Sequence, residues 1–417
     1  MPDPLDGLNS AQRTAVAHPG GTLIVAGGPG AGKTHVLTRR AAWLMERGAP
    51  PESVLALAGS RAAADAMRCA VEALVERPYE ELWIVGFEEL CRRLLHDEAL
   101  EAGVDPFFAP ATGADRVALL LERVDELPLS HHEIRGNPAP LVAQLVDRID
   151  RLKAARVAAE DLRRHAAGLL AEAGGDAAAR AVAERDLEAA AVYERHDRLL
   201  AERGALDSGE LVLRAERLVR ERPGARERVA GRFEHVLVDD RDELTPAEGA
   251  LLDTLCRPEA GRTVAVDEVR ASDRADGWAT RDDADQVFLP RSLRCGQRVL
   301  DAAYGVAGEH AAAPRRPARG RTRAGAGEVS FWSCSSERAQ AQAVARRVER
   351  LVAAEGVAAE EIAVIVPSVR DDGGPVGSAL EERSLPFRLL GGSALFDRAE
   401  VRDVLAWLRL LADPADS

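Results

Sequence analysis

The sequence predicts an α/β fold: a parallel sheet covered by helices, with an all-helical segment inserted between two parts of the sheet. Three observations lead to this prediction. Residues 22–45 read as a strand, a glycine loop and a helix. Further short apolar runs are each followed by a helix-like segment, as in parallel strands joined by crossover helices. From about residue 97 to 205, Ala, Leu, Arg and Glu recur at helical spacing without a strand signal.

The predicted elements follow an order that suits two α/β units. The first three strands are predicted in TLIVAG, SVLALAG and LWIVGF, and strand signals return in HVLVDD and RTVAVDE after the helical segment. These five runs complete the first sheet. A second alternating unit is predicted from QVFLPRSLR, EVSFWSC, IAVIVPS and PFRLLGG. Its helices are ERAQAQAVARRVERLVAAEG and an amphipathic segment at the end of the sequence.

Composition excludes several classes of protein. With 417 residues, 46% of them apolar and 30% charged, the chain can bury a large core. A net charge of -14 argues against a protein that coats nucleic acid with its whole surface. The basic stretch at 314–323 is interpreted as a solvated loop, with phosphate binding as the alternative. Without a secretion signal or a membrane-spanning apolar run, we expect a cytoplasmic protein with no membrane contact.

The pattern of cysteines argues against a metal site, and lysine is rare in the chain. Five cysteines are scattered without a CxxC pair, which favours reduced, buried thiols over a zinc or iron–sulfur site. Only two of the 55 basic residues are lysines, Lys33 and Lys153. Arginine therefore occupies almost every position where a positive charge suffices.

A phosphate-binding loop is the strongest motif in the sequence. The motif G-x-x-x-x-G-K-[ST] is matched between a predicted strand and a predicted helix, and Lys33 and Thr34 end it. The glycines of this loop are Gly27, Gly28, Gly30 and Gly32. Such a loop wraps backbone N–H groups around phosphates, while the lysine neutralises them and the threonine hydroxyl ligates Mg²⁺. The motif predicts Mg²⁺ and ATP as the cofactors.

Segments around this loop resemble one family. LNSAQRTAV resembles a glutamine motif that reads adenine, and GALDSGELVLRAERLV and RFEHVLVDD resemble the approach to a Walker B strand. LPFRLLGGSALFDRAEVRDVLAWLRLLADPAD resembles part of a second motor domain. In this order they resemble the UvrD/Rep/PcrA-type superfamily-one DNA helicases. The resemblance implies two RecA-like domains: residues 1–96 and 206–285 for the first, 97–205 for its helical insertion, and 286–417 for an incomplete second.

The resemblance also implies a nucleotide site. Gln12 would read adenine with Arg40 near it, and Lys33 and Thr34 would hold the phosphates and the metal. Asp239, at the end of HVLVDD, would be the second metal ligand. Arg294, in LPRSLRCGQRVL, would reach the γ-phosphate from the second domain.

The catalytic motifs depart from the family pattern. Asp240 stands where the family has the glutamate that orients the attacking water, and it is interpreted as a weakened base because its side chain is shorter by about 1.5 Å. Asp242 replaces a glutamine that can donate a hydrogen bond. In the sensor motif, Arg270 and Asp273 replace the family's glutamine and tyrosine, and Trp278 lies near the base-stacking aromatics but out of register.

The segments that would contact DNA change as well. Ser60, Arg61 and Phe87 are the residues that we expect to contact single-stranded DNA or a DNA junction. Glu88 and Glu89, however, lie where DNA would pass, and carboxylates repel phosphates.

Two functions therefore stay open. The resemblance implies an ATP-dependent 3′→5′ DNA helicase or translocase, weakened by the changed catalytic motifs or truncated, since the sequence ends before the family's last motifs. The alternative is a catalytically degenerate, nucleotide-binding paralogue that serves as the non-motor partner subunit of a helicase or nuclease.

Overall fold

The computed structural model describes residues 3–132, 136–267, 284–308, 320 and 327–390, together with 404 and 407. The chain folds into two compact units, Met1–Val329 and Ser330–Ser417. No helix among these residues is long and apolar enough to cross a membrane. The domain boundaries drawn from the sequence stay predictions.

The strands are β1 Thr22–Gly27, β2 Val54–Leu57, β3 Trp83–Val85, β4 Ala109–Pro110, β5 Ala205–Leu206, β6 His235–Val238, β7 Gly261–Asp267 and β8 Asp285–Leu289. The helices are α1 Ser10–Val16, α2 Lys33–Glu46, α3 Arg61–Glu72, α4 Phe87–Asp97, α5 Ala99–Ala102, α6 Gly113–Leu121, α7 Ala139–Ala154, α8 Ala159–Glu172, α9 Ala177–Glu202, α10 Ser208–Glu221, α11 Pro223–Arg232, α12 Pro246–Leu255, α13 Gln297–Gly308, α14 Glu337–Ala353 and α15 Gly374–Glu381.

The first unit is built on a parallel sheet of six strands in the order β3-β2-β6-β7-β1-β8. The side chains of β2 alternate between two cores: Leu55 and Leu57 pack towards α4 and α10–α12, whereas Val54 and Ala56 pack towards α2 and α3. Helices therefore cover both faces, which explains why this strand is a continuous apolar run. The predicted α/β fold with a parallel sheet is confirmed.

The helical insertion has its own core, formed by α6–α9, with Leu119, Val142, Leu145, Ala190 and Leu199 among its members. Two short strands that the sequence did not indicate, β4 and β5, pair in parallel at its two ends. The chain thus enters and leaves the insertion side by side.

The second α/β unit predicted from the sequence differs from the structure. The strand predicted in QVFLPRSLR forms as β8, but it pairs with β1 in the first sheet and does not begin a second one. The described residues of EVSFWSC, IAVIVPS and PFRLLGG contain no strand. Their apolar side chains are instead exposed: Phe331 is 83% and Ile365 92% accessible. The small core of this unit joins α14 and α15.

Candidate functional site

The phosphate loop joins β1 to α2 at the carboxyl end of the sheet. Gly30 and Gly32 have φ values of 71° and 90°, in the left-handed region that favours glycine. Because Gly32 is the residue before α2, no side chain caps that helix. The N–H groups of its first turn are therefore suited to bind an anion.

Lys33 connects the loop to the neighbouring strand. Its Nζ donates to the carbonyl of Gly27 at 2.9 Å and lies 3.2 Å from Oδ2 of Asp267, the last residue of β7. The lysine side chain is only 10% exposed. Asp267 was not singled out from the sequence, although RTVAVDE, like HVLVDD, is an apolar strand that ends in an acid.

Thr34 and Asp239 form the pair expected at a metal site. The Thr34 hydroxyl donates to Oδ2 of Asp239 at 2.5 Å. Asp239 is buried at the end of β6, and burial raises the pKa of its carboxyl to about 6. A hydroxyl and a carboxylate at this distance are oxygen donors of the kind that Mg²⁺ prefers, so the two residues fit the metal implied by the motif.

The next two aspartates lie in different surroundings. Asp240 has φ 46° and ψ 50°, a left-handed conformation that Asp tolerates better than most residues. Oδ1 of Asp242 accepts from the backbone N–H of Asp267 at 3.1 Å, which ties the Walker B segment to the end of β7. Burial raises the pKa of Asp242.

Gln12 reaches the same loop from α1. Its Nε2 donates to the carbonyl of Ala31 at 3.5 Å, and a Cβ added to Gly32 would lie 2.9 Å from this nitrogen. The same Cβ would lie 3.5 Å from Cδ1 of Leu293. Leu293 was also missed in the sequence; it places an apolar side chain, 46% exposed, beside the predicted adenine reader.

The loop that follows β8 brings Arg294 to the phosphate loop. The backbone N–H of Leu293 donates to the carbonyl of Gly30 at 2.8 Å. Ser292 is buried, and its Oγ accepts from the N–H groups of Arg294 at 3.4 Å and Cys295 at 3.0 Å. Arg294 is exposed and lies so close to Gly30 that an added Cβ would approach its Cβ to 2.8 Å.

Arg40 lies between the end of α1 and strand β7. Its side chain is buried, and its guanidinium donates to three backbone carbonyls at and after the end of α1, those of Ala15, Val16 and His18. Its Nε donates to the hydroxyl of Thr263 in β7 at 2.8 Å. Nε and Nη1 of Arg40 thus both donate to protein atoms.

The predicted DNA-contacting residues share one open cleft with a volume of about 1110 Å³. It lies where β2, β3 and β6 end, and its walls include Ser60, Arg61, Phe87 and Asp240 as well as residues of α6, α7 and α10. Ser60 caps α3 by accepting from Ala63 N–H, and Phe87 is also a member of the core. The cleft therefore adjoins the Walker B segment.

The two glutamates of this cleft do not act alike. Glu89 accepts from Arg92 at 2.7 and 2.9 Å and from Arg93 at 2.7 Å. Burial would raise the pKa of Glu89, but these hydrogen bonds outweigh it and lower the pKa. Glu88 remains exposed, with its Oε2 3.2 Å from the hydroxyl of Ser208. The expected repulsion of DNA thus rests on Glu88, because two arginines neutralise Glu89.

Charges of both signs line the cleft. The basic side chains are Arg61, Arg68, Arg92, Arg93, Arg116 and Lys153. The acidic side chains are Asp65, Glu88, Glu89, Asp150, Asp240, Glu243 and Glu248. Six basic against seven acidic side chains give the wall a net charge close to zero. The sensor residues Arg270, Asp273 and Trp278 lie outside the described residues.

Comparison with known proteins agrees with the motif order. The model of the UvrD/REP helicase N-terminal domain matches residues 8–268, and that of the UvrD-like helicase C-terminal domain matches residues 289–417. ATP-dependent DNA helicase UvrD1 of Mycobacterium bovis is 31% identical over 432 residues, which cover 99% of this chain and 53% of that protein. ATP-dependent DNA helicase PcrA of Bacillus subtilis is 24% identical over 426 residues, covering 99% and 54%.

The chain spans about half the length of the curated relatives it matches. The N-terminal domain model alone nevertheless matches more than half of the chain, and it covers the phosphate loop and the Walker B strand. The chain belongs to the UvrD/REP family of DNA helicases.

Proposed function

We propose that the chain binds Mg²⁺–ATP at the phosphate loop and uses it for ATP-dependent 3′→5′ movement along single-stranded DNA, with weakened hydrolysis. The observation that carries this proposal is the arrangement of Lys33, Thr34 and Asp239, whose polar atoms lie within hydrogen-bond distance of one another or of the loop. Names of the relatives, which are ATP-dependent DNA helicases, support the substrate classes.

Each residue would have a distinct task. Lys33 would neutralise the β- and γ-phosphates, and Arg294 would stabilise the charge that develops during phosphoryl transfer. Thr34 and Asp239 would hold Mg²⁺, which polarises the phosphate oxygens when bound. Asp240 would orient the attacking water. Gln12 would read the base through its side-chain amide.

DNA binding in the cleft completes the proposal. Ser60, Arg61 and Phe87 would contact a single strand or a junction. Because Asp240 lines the same cleft, bound DNA would lie next to the residue that orients water. The proposed domains are residues 1–96 with 206–285, the insertion 97–205, and residues 286–417.

Steady-state ATP hydrolysis with and without single-stranded DNA tests the proposal, with Lys33→Ala as the blank. Turnover that DNA stimulates and that Lys33→Ala removes is the expected result. No turnover above this blank, together with no ATP binding in a calorimetric titration, would refute it.

The second candidate is a nucleotide-binding partner subunit of a helicase or nuclease that does not move along DNA itself. It is favoured by Asp240, whose left-handed backbone suits Asp better than the longer glutamate of the family. ATP binding without hydrolysis would support this candidate. If Asp240→Glu then raised turnover, the short side chain would be identified as the cause of the loss.

A further inference from the structure

Arg40 is a buried cation whose hydrogen bonds all go to other parts of the protein. Its side chain is 1% exposed, and burial lowers its pKa to about 10. Nη1 lies 3.2, 3.0 and 2.9 Å from the carbonyl oxygens of Ala15, Val16 and His18, and Nε lies 2.8 Å from the Thr263 hydroxyl. One guanidinium thus joins three elements: α2, the end of α1 and strand β7.

These hydrogen bonds hold α1 in place. Helix α1 has seven residues, and helices this short are unstable without tertiary contacts. The carbonyls at its end carry partial negative charge and lack partners within the helix. Arg40 supplies those partners and, through Thr263, anchors the end of α1 to the sheet. At the other end, the side chains of Asn9 and Gln12 form a capping box.

The helix that Arg40 holds carries the predicted adenine reader. Gln12 is 2% exposed, and its amide lies against Ala31 and Gly32 of the phosphate loop. A hydrogen bond to a base depends steeply on distance and angle, so a small shift of α1 would remove it. The backbone of α1 is held in place from the sheet side by Arg40.

We propose that Arg40 is a positioning residue for purine recognition: by clamping the end of α1 to β7, it keeps the Gln12 amide aligned with the base. The preference for ATP over GTP would then depend on a side chain that does not touch the nucleotide. This inference rests on the proposed function, because it takes Gln12 as the residue that reads the base.

Arg262 provides a matched control. It is another buried arginine, 4% exposed, and it lies in β7 next to Thr263. Its Nη2 donates to the carbonyls of Cys256 at 3.2 Å and Arg257 at 2.6 Å, just after the end of α12. Arg262 thus makes a clamp of the same chemistry on a helix that carries none of the proposed nucleotide-binding residues.

The experiment measures the equilibrium Kd of Mg²⁺–ATP and Mg²⁺–GTP by calorimetry. The full chain is compared with Gln12→Ala, Arg40→Met, the double variant of these two, and Arg262→Met. Gln12→Ala and Arg40→Met should each reduce the ATP/GTP preference about tenfold, the effect of losing one hydrogen bond to the base. The double variant should lose no more of the ATP/GTP preference than Gln12→Ala alone. Arg262→Met should keep the wild-type ratio of the two Kd values.

Arg40→Lys covers the case in which Arg40→Met does not fold. It keeps the charge but loses the planar fork that reaches several acceptors at once, so we expect a partial loss of preference, about threefold. An unchanged ATP/GTP ratio in either Arg40 variant would overturn the inference, as would a wild-type chain that binds both nucleotides equally. A wild-type chain that binds neither nucleotide would refute the proposed function itself.

Discussion

Replacing Lys153 by methionine is expected to destabilise the first unit strongly, because it leaves a buried carboxylate without its main countercharge. The lysine side chain is 1% exposed, and its Nζ lies 2.7 Å from Oδ2 of Asp207, which is fully buried. Nζ also lies 2.8 Å from Oδ1 of Asp197. Oδ1 of Asp207 meanwhile caps α10 by accepting from Glu210 N–H at 2.8 Å. Methionine keeps an unbranched stem, so the charge is the principal loss.

The magnitude follows from what remains around Asp207. Removing one partner of a buried ion pair costs about 3–5 kcal/mol. Arg116 remains, with its Nη2 3.8 Å from Oδ2 of Asp207, so we expect a loss near the lower limit, about 3 kcal/mol. His196, Asp197 and Asp207 also form a candidate metal-binding group, but the Lys153 ammonium already contacts both of its carboxylates.

The sign of the pH dependence can be worked out from Asp207. Burial alone would raise its pKa, but Lys153 and then Arg116 outweigh burial and hold the pKa below its ordinary value. In the wild type this aspartate therefore contributes stability at all pH values above its unfolded pKa. Without Lys153 its pKa rises, so the variant takes up a proton on folding. The destabilisation should shrink as the pH falls from about 7.5 to about 5.5.

Urea unfolding at these two pH values measures the effect, with Lys153→Met/Asp207→Asn as the control. Asparagine still caps a helix, so the double variant removes both charges while it keeps the cap. We expect it to recover at least half of the lost free energy of unfolding. A loss below about 1 kcal/mol at pH 7.5, or no recovery in the double variant, would refute the reasoning from a buried charge.

Three further predictions concern the nucleotide site. Burial raises the pKa of Asp239 to about 6, so its carboxyl takes up a proton as the pH falls through 6. Mg²⁺-dependent ATP binding should therefore weaken at low pH. Equal affinity at low and neutral pH, measured by calorimetry, would contradict this. Gly30→Ala places a Cβ 2.8 Å from Arg294 Cβ and Ser292 Oγ, at a φ of 71°. The free energy of unfolding should therefore fall by about 1–3 kcal/mol. An unchanged urea midpoint would show that the loop moves to accommodate the methyl group. Asp240→Gly relieves a left-handed backbone and should raise that free energy by up to about 1 kcal/mol, whereas a loss would mean that carboxylate contacts outweigh the strain.

The strands of the first sheet could be predicted because each apolar run is part of a larger pattern. TLIVAG is followed by a phosphate-loop motif, and HVLVDD ends on two aspartates that resemble a Walker B motif. EVSFWSC and IAVIVPS have equally apolar residues, yet Phe331 and Ile365 are exposed and no strand forms in the described part of these runs. A strand needs a neighbour for its backbone hydrogen bonds, and local alternation does not show whether one is present.

In the site, the sequence located the motif residues but not their partners. The phosphate-loop motif located Lys33 and Thr34, the family resemblance located Asp239, and the structure brings Thr34 and Asp239 into contact. The contacts of Arg40 join elements that are distant along the chain. The neutralisation of Glu89, in contrast, comes from arginines three and four residues later on the same helix, a spacing that the sequence does contain. Spacing along the chain cannot encode the contacts of Arg40, which the resemblance placed near adenine and which also holds the end of α1.

The two lysines show that the composition already contained information about buried charged sites. Both are buried, and each ammonium lies within 3.2 Å of an aspartate at the end of a strand or the start of a helix. Backbone packs tightly against Lys153: a Cβ added to Gly209 would lie 2.8 Å from its Cβ and 2.9 Å from its Cδ. A planar guanidinium needs more room than a compact ammonium. In a chain that uses arginine almost everywhere, both lysines are thus found where a compact ammonium meets an aspartate at a buried site, and the rarity of lysine alone points to Lys153.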